Sequence, residues 1–352
     1  LENWIFHANF DDEVHDFQVQ CGEQLKNSKN ITVLFNANAL ELQSDEEQRH
    51  LNRIRCGTIE GGVKGREFLV SLGDHGKCVL TMGGIESTRL LQLSRNFGDN
   101  RKQMLGKGFM LHPVIVEGAR VHFDQCVDPA VTRFYNRQDV CLRKTGGQYE
   151  GIPLRESKKE DCNFMSWGVL IPKTEMLYQD KIGNFRIWVN FTNDRKCALL
   201  GYNWEQLPNE ESTLTLNPDV IDPIFGQPVS HLDWHLLAKD KETVQKCQEY
   251  CVDFFTRHGT ANVEIITDLS GDAEDWLFTP KPGCLKPGDH HMGTIRMSES
   301  PDDGIVDANC KIHNVDNLYV SSSAVFPTVG YANPTMAIVA LSLRLGEHLK
   351  SL

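Results

Sequence analysis

Gly288-Asp289-His290-His291-Met292-Gly293-Thr294-Ile295-Arg296-Met297 and, further on, Phe326-Pro327-Thr328-Val329-Gly330-Tyr331-Ala332-Asn333-Pro334-Thr335 decide how the rest of the chain is understood. The first stretch puts two histidines on a loop bounded by glycines. The second puts Asn333 and Pro334 at the mouth of an apolar helix, expected from Pro334 to about Leu349. Asn333 suits the N-cap and Pro334 the first helical position. Ala337, Ile338, Val339, Ala340 and Leu341 are apolar nearly all round, so the first turns are expected to be buried. Between the two stretches, Asn317-Leu318-Tyr319-Val320 reads as a strand and Ser321-Ser322-Ser323-Ala324 as a turn of small residues.

A helix N-terminus offers free N–H groups and about half a positive charge, so it stabilises an anion placed there. The same residues also suit the start of a core helix that meets no ligand. A histidine can take up a hydroxyl proton near neutral pH, as alcohol oxidation requires. A lone loop histidine is more often structural. His290 and His291 make a poor metal site, because adjacent side chains diverge and no third ligand is evident. No metal ligands are therefore assigned. Arg296 suits an anion or, more simply, a carboxylate partner. The chain has no G-x-G-x-x-G, no P-loop, no G-x-S-x-G turn and no H-E-x-x-H helix.

Moving upstream, Lys77 to Thr81 reads as a buried strand that ends at Met82-Gly83-Gly84, and Ile85 to Ser94 reads as a helix. Such strand–turn–helix units bind nucleotides at strand ends in α/β proteins, and glycines there let a ligand or another backbone come close. Asn30 to Phe35 is rich in β-branched and aromatic residues and is expected to be a strand, with the alternation resuming at Leu40 to Leu42. Val14 to Leu25 suits a helix. Asn52 to Thr58 and Glu67 to Leu72 suit a hairpin or small meander, separated by the Gly-rich Gly61 to Gly65. After the Gly-punctuated link Leu105 to Pro113 the pattern changes. Val114 to Phe123, Asn163 to Ile171, Arg186 to Thr192, Ala198 to Trp204 and Ser212 to Leu216 read as strands without regular helices between them, which suits a largely antiparallel sheet. Lys239 to His258 is a helix with Val244, Cys247, Cys251 and Phe254 or Phe255 on one face. Asn262 to Thr267 is a short strand.

With 352 residues the chain has room for two domains. A net charge of -12 argues against a nucleic-acid partner and an anionic membrane surface. No apolar run is long enough to span a membrane. The 11 cysteines include no C-x-x-C pair and read as mostly buried or free thiols. That favours a reducing compartment such as the cytoplasm. The first residue is Leu, so the chain is expected to start inside a longer protein or after processing.

In this order and spacing the motifs resemble the glucose–methanol–choline (GMC) family of FAD-dependent oxidoreductases. The similarity is densest over 284–352, in His290 to Met297, Gly304-Ile305-Val306-Asp307, Asn317 to Thr328 and Asn333-Pro334-Thr335. It extends upstream to Asn36-Ala37-Asn38-Ala39-Leu40, Gly83 to Leu91 and Glu205-Gln206-Leu207-Pro208. The flavour of the motifs is nearest to bacterial sugar and polyol dehydrogenases and pyranose oxidases. The resemblance implies His290 as catalytic base and Asn333 as the second catalytic residue, with His291 on a variable position. It implies FAD contacts from Ala39 near the adenine, Gly83 and Gly84 near the ADP part, Ser322 and Ser323 beside the ribityl and pyrophosphate, and Pro334 and Thr335 facing the flavin. The expected reaction is oxidation of a small alcohol or a sugar or polyol hydroxyl to a carbonyl, with oxygen, a quinone or a cytochrome as electron acceptor. The implied architecture is α/β (α+β overall). An incomplete Rossmann-like FAD-binding domain comprises 1–111 and 285–352, and a substrate domain on a mainly antiparallel sheet comprises 112–284. The family's G-x-G-x-x-G segment is absent, so the alternative is a non-catalytic fragment that does not bind FAD on its own.

Overall fold

A computed structural model describes residues 2–3, 17–47, 49–94, 104–128, 140–145, 148–153, 164–171, 177, 180–192, 194–257, 261–269 and 285–352. In chain order the elements are β1 (Glu2–Asn3), α1 (Phe17–Asn27), β2 (Asn38–Ser44), β3 (Leu51–Glu60), β4 (Val63–Ser71), β5 (Cys78–Leu80), α2 (Gly83–Leu93) and β6 (Pro113–Phe123). Then come β7 (Val140–Thr145), β8 (Gln148–Pro153), β9 (Phe164–Ile171), β10 (Phe185–Thr192), β11 (Cys197–Trp204), β12 (Thr213–Ile221) and β13 (Pro228–Asp233). The last are α3 (Ala238–Arg257), β14 (Ala261–Ile265), β15 (Leu285–Pro287), β16 (Leu318–Val320) and α4 (Thr335–Lys350). Val14 to Asp16, Asn163 and His258, at the margins of expected elements, lie outside the described residues.

The chain forms two compact units. The first comprises Leu1–Leu34, Pro113–Trp204 and Lys241–Lys286. Its centre is a seven-stranded sheet in the order β1-β9-β10-β11-β6-β14, with β15 also pairing with β6. The pairings along that order are antiparallel. The reason is visible in β10, where Phe185, Ile187, Val189 and Phe191 are buried and the residues between them only half so. That is the period-2 pattern of a pleated strand. On α3 the fully buried Val244, Cys247 and Cys251 and the nearly buried Phe255 share one face, at the spacing a helix needs. Phe255 meets Phe123 edge-on at 6.2 Å, and Phe123 stacks with Phe191 at 5.9 Å. The antiparallel middle sheet expected from the sequence is present.

The second unit comprises Phe35–His112, Glu205–Asp240 and Pro287–Leu352. It holds the antiparallel meander β2-β3-β4, the hairpin β12-β13 and the parallel pair β5-β16. The parallel pair joins Leu318 to Cys78 and Val320 to Leu80. Its core includes Leu42, Leu51, Leu80, Leu90, Met110, Met292, Ile295 and Val320. The buried Asn317 side chain ties distant segments together. Its Oδ1 accepts from Leu51 N (2.8 Å), and its Nδ2 donates to Leu51 O and Gly76 O (2.9 Å each).

Two expectations fail here. Asn30 to Phe35 forms no strand, and Ile31, Val33, Leu34 and Phe35 are exposed. β-Propensity works only where a neighbouring strand completes the ladder, and among the described residues none pairs with this segment. The first turns of α4 are also not buried, since Met336 is 80% and Val339 48% exposed. Leu345 is buried, and Ile338, Leu341 and Leu349 lean on the core. A single stripe of the helix is covered, although its apolar residues run all round.

Candidate active site

The site grows from one short antiparallel contact. Met110 and Met292 exchange both backbone hydrogen bonds at 2.9 Å, and both side chains are fully buried. In an antiparallel pair, residues two steps away on each strand again face each other on the same side. Two steps from Met110 and Met292 stand His112 and His290. Their Nδ1 atoms are 2.8 Å apart, and the rings meet edge to face at 5.0 Å between centroids. His112 is fully buried and His290 half-buried. The neighbouring His291 turns its ring to Phe109, 5.8 Å away. The two adjacent histidines therefore engage different partners.

The histidine loop is seated on two supports. Ser323 Oγ donates to His291 O (2.7 Å), and Gly293, Ile295 and Met297 donate backbone N–H groups to Ser323 O, Ala324 O and Val325 O. Ser322 Oγ accepts from Ala324 N (3.2 Å) and caps the short 3₁₀ turn Ser323–Val325. The second support is the start of α2. Thr88 Oγ1 donates to Thr294 Oγ1 (2.8 Å), which donates to Gly84 O (2.9 Å). A Cβ at Gly84 would lie 2.5 Å from His291 O, so the glycine serves close approach of one backbone to another. Gly293 has φ +88°, and a Cβ there would lie 2.3 Å from Gly108 O. Both its conformation and its surroundings exclude a side chain.

A third group of residues holds the opposite strand. The fully buried Gln206 accepts from Leu111 N (3.0 Å) and Trp234 Nε1 (3.0 Å), and its amide donates to Phe109 O (3.4 Å). Leu207 N and Leu237 N each donate to Asp240 at 2.8 Å. Burial pushes the Asp240 carboxyl up to about 6 against the pull of those two donors. Gly330 N donates to Glu205 Oε1 (3.1 Å), which fastens the loop before α4.

Of the residues named from the sequence, Gly84, the His290–His291 backbone and Ser323 come together directly. Ser322 lies in the same turn. Ala39 is half-buried on β2 opposite Cys56 and packs on the core. Gly83 opens α2 with nothing within 4 Å of a Cβ built on it. Asn333 and Thr335 are exposed and Pro334 is buried between them. α4 starts one residue later than expected. Pro334 rather than Asn333 holds the N-cap position, and no side-chain cap is formed. Arg296 lies 3.6 Å from Glu210 and reaches Asp303 O, the simpler of its two expected roles. Sequence reasoning assigned no role to His112, Gln206 or Asp240. Gln206 belongs to the quoted Glu205-Gln206-Leu207-Pro208 segment, whereas His112 lay in a link with no signal beyond its glycines. Among the described residues no group of three or more His, Cys, Asp or Glu is placed to hold a metal ion. No described helix is long and apolar enough to cross a membrane.

Residues 208–342 match the family model described as GMC oxidoreductase. The chain is 30% identical over 145 residues to 2-methyl-1,2-propanediol dehydrogenase of Mycolicibacterium austroafricanum, covering 41% of this chain and 24% of that protein. It is 28% identical over 134 residues to C-glycoside 3-oxidase of Arthrobacter globiformis, covering 36% and 23%. In fold it is similar to formate oxidase from Aspergillus oryzae RIB40, with TM-score 0.60 and 18% identity, over 93% of this chain and 62% of that one. Residues 208–342 are thus similar to GMC oxidoreductases, and the chain shares a fold with formate oxidase. It spans less than two thirds of each of these three proteins.

Proposed function

We propose that the chain carries the catalytic histidine of an FAD-dependent oxidoreductase that converts an alcohol, sugar or polyol hydroxyl to a carbonyl. The observation that carries this reading is the seating of His290 within a segment that matches the family. Its imidazole meets His112, on a loop whose backbone is fastened at Ser323 and Gly84. His290 takes the hydroxyl proton through its second ring nitrogen. Asn333 donates a hydrogen bond to the substrate oxygen. FAD, when bound, supplies the acceptor for the hydride that leaves the carbinol carbon.

Features of the chain fit such a cofactor. α2 and α4 both start without a side-chain cap, so their first N–H groups are available to an anionic group. The space at Gly83 is open, and Gly83 faces the ADP part, while Gly84 gives its close approach to His291 O. Ala39, Ser322, Ser323, Pro334 and Thr335 complete the proposed contacts. Residues 1–111 and 285–352 hold these contacts, and 112–284 form the substrate domain. The sugar and diol names of the two relatives support a small hydroxylated substrate. The test is His290→Ala in the FAD-loaded protein. The rate of flavin reduction is expected to fall by roughly 10²- to 10⁴-fold while the visible flavin band shows FAD retained. Undiminished reduction overturns the reading.

A further inference from the structure

We infer that His112 is a positioning residue that sets the tautomer of His290. The inference rests on the reading of His290 as the base. A 2.8 Å Nδ1–Nδ1 contact between two imidazoles needs one proton between them, one ring donating and the other accepting. Two arrangements satisfy that requirement. If His112 donates, the neutral His290 carries its proton on Nε2 and has no lone pair left for a substrate hydroxyl. If His290 donates, its neutral ring carries no proton on Nε2, whose lone pair can accept one. Only the second arrangement serves a base, and it also survives the reaction, because the imidazolium formed at His290 still donates Nδ1–H to His112. Charging the fully buried His112 ring would require desolvation, so the added proton belongs to the half-buried His290.

The backbone makes this pairing obligatory. The Met110–Met292 bridge fixes the register, and a shift of one residue in either strand would turn that strand's histidine to the other face. Gly288 allows the approach, since a Cβ there would lie 2.3 Å from His112 O. Gln206, holding Phe109 and Leu111 from the far side, keeps the His112 strand from moving away. The second ring nitrogen of His290 is thus directed by a buried neutral imidazole, where many enzymes use a carboxylate for the same purpose.

The test reads the tautomer directly and needs no cofactor. The chain, selectively ¹⁵N-labelled at histidine, is compared by NMR with His112→Leu and His112→Asn, each first checked for an intact unfolding transition. In the unaltered chain the His290 Nδ1 is expected to be pyrrole-like and Nε2 pyridine-like. His112→Leu is expected to shift the population toward the Nε2–H form, and His112→Asn, whose side-chain oxygen can stand in for the accepting nitrogen, to restore the first pattern. In the FAD-loaded protein the same series should lower kcat at least about tenfold in the leucine variant, with KM little changed and recovery in the asparagine variant. A His290 that carries its proton on Nε2 in the unaltered chain, or a tautomer unmoved by His112→Leu, overturns the inference. If His290→Ala leaves flavin reduction intact while the NMR pattern is as expected, the base assignment falls and the positioning contact stands.

Discussion

Gly84 lies so close to the carbonyl oxygen of His291 that a methyl group at residue 84 would stand 2.5 Å from it. The oxygen cannot retreat easily. Ser323 Oγ holds it at 2.7 Å, and three further backbone hydrogen bonds fix the loop behind it. Gly84→Ala is therefore expected to cost about 1–3 kcal/mol through overpacking against backbone. The measurement is the urea midpoint, and a midpoint equal to that of the unaltered chain would sink the argument. Because the displaced atom belongs to the residue after His290, the proposed role of His290 implies that flavin reduction in the FAD-loaded protein slows as well.

Asn317 supplies a second prediction. Its side-chain amide satisfies Leu51 N, Leu51 O and Gly76 O, joining β3, the approach to β5 and the approach to β16. Asn317→Leu fills the same space but leaves three backbone groups, two of them buried and one half-buried, without that partner. With about 1 kcal/mol or more for each group, a loss of about 3–4 kcal/mol is expected. Equilibrium unfolding checks it, with Asn317→Asp separating the lost donors from the retained acceptor.

The third concerns pH. Folded Asp240 holds its proton more tightly than an unfolded carboxyl, which titrates near roughly 4, because burial pushes it up to about 6. Its stabilising contribution is therefore full below about pH 4 and is lost as pH rises through about 6, where the folded state must bear a buried carboxylate. The loss amounts to about 3 kcal/mol across that window. Stability curves of the unaltered chain and Asp240→Asn should diverge between pH 4 and pH 7 by that order. Parallel curves would contradict the assignment.

Local pattern carried far in some elements and failed in others for physical reasons. β10 and α3 were legible because each buries one face, so the periods of 2 and 3.6 are written into Phe185, Ile187, Val189 and Phe191 and into Val244, Cys247, Cys251 and Phe255. β13 was not expected. Pro228-Val229-Ser230-His231-Leu232-Asp233 is half-buried or exposed and pairs through backbone with β12, so its side chains carry little signal. Asn30 to Phe35 misled in the opposite direction, with strand-forming residues and no partner among the described strands.

For the candidate site, the sequence by itself determined which residue types were present and in what order: His290 between Gly288 and Gly293, Gly83-Gly84 after a strand, Ser322-Ser323 after another, Asn333-Pro334 before a helix. These are chemical capacities, and chain order is enough to state them. Tertiary structure alone decided the partners. His112 lies 178 residues before His290, and nothing local marks it. Only the Met110–Met292 register brings their rings together. Likewise Gly84 could have admitted a ligand or a backbone, and the fold gave the place to His291 O. A residue's chemistry is covalent and local, whereas what it touches depends on which distant segment the backbone hydrogen bonds lay beside it.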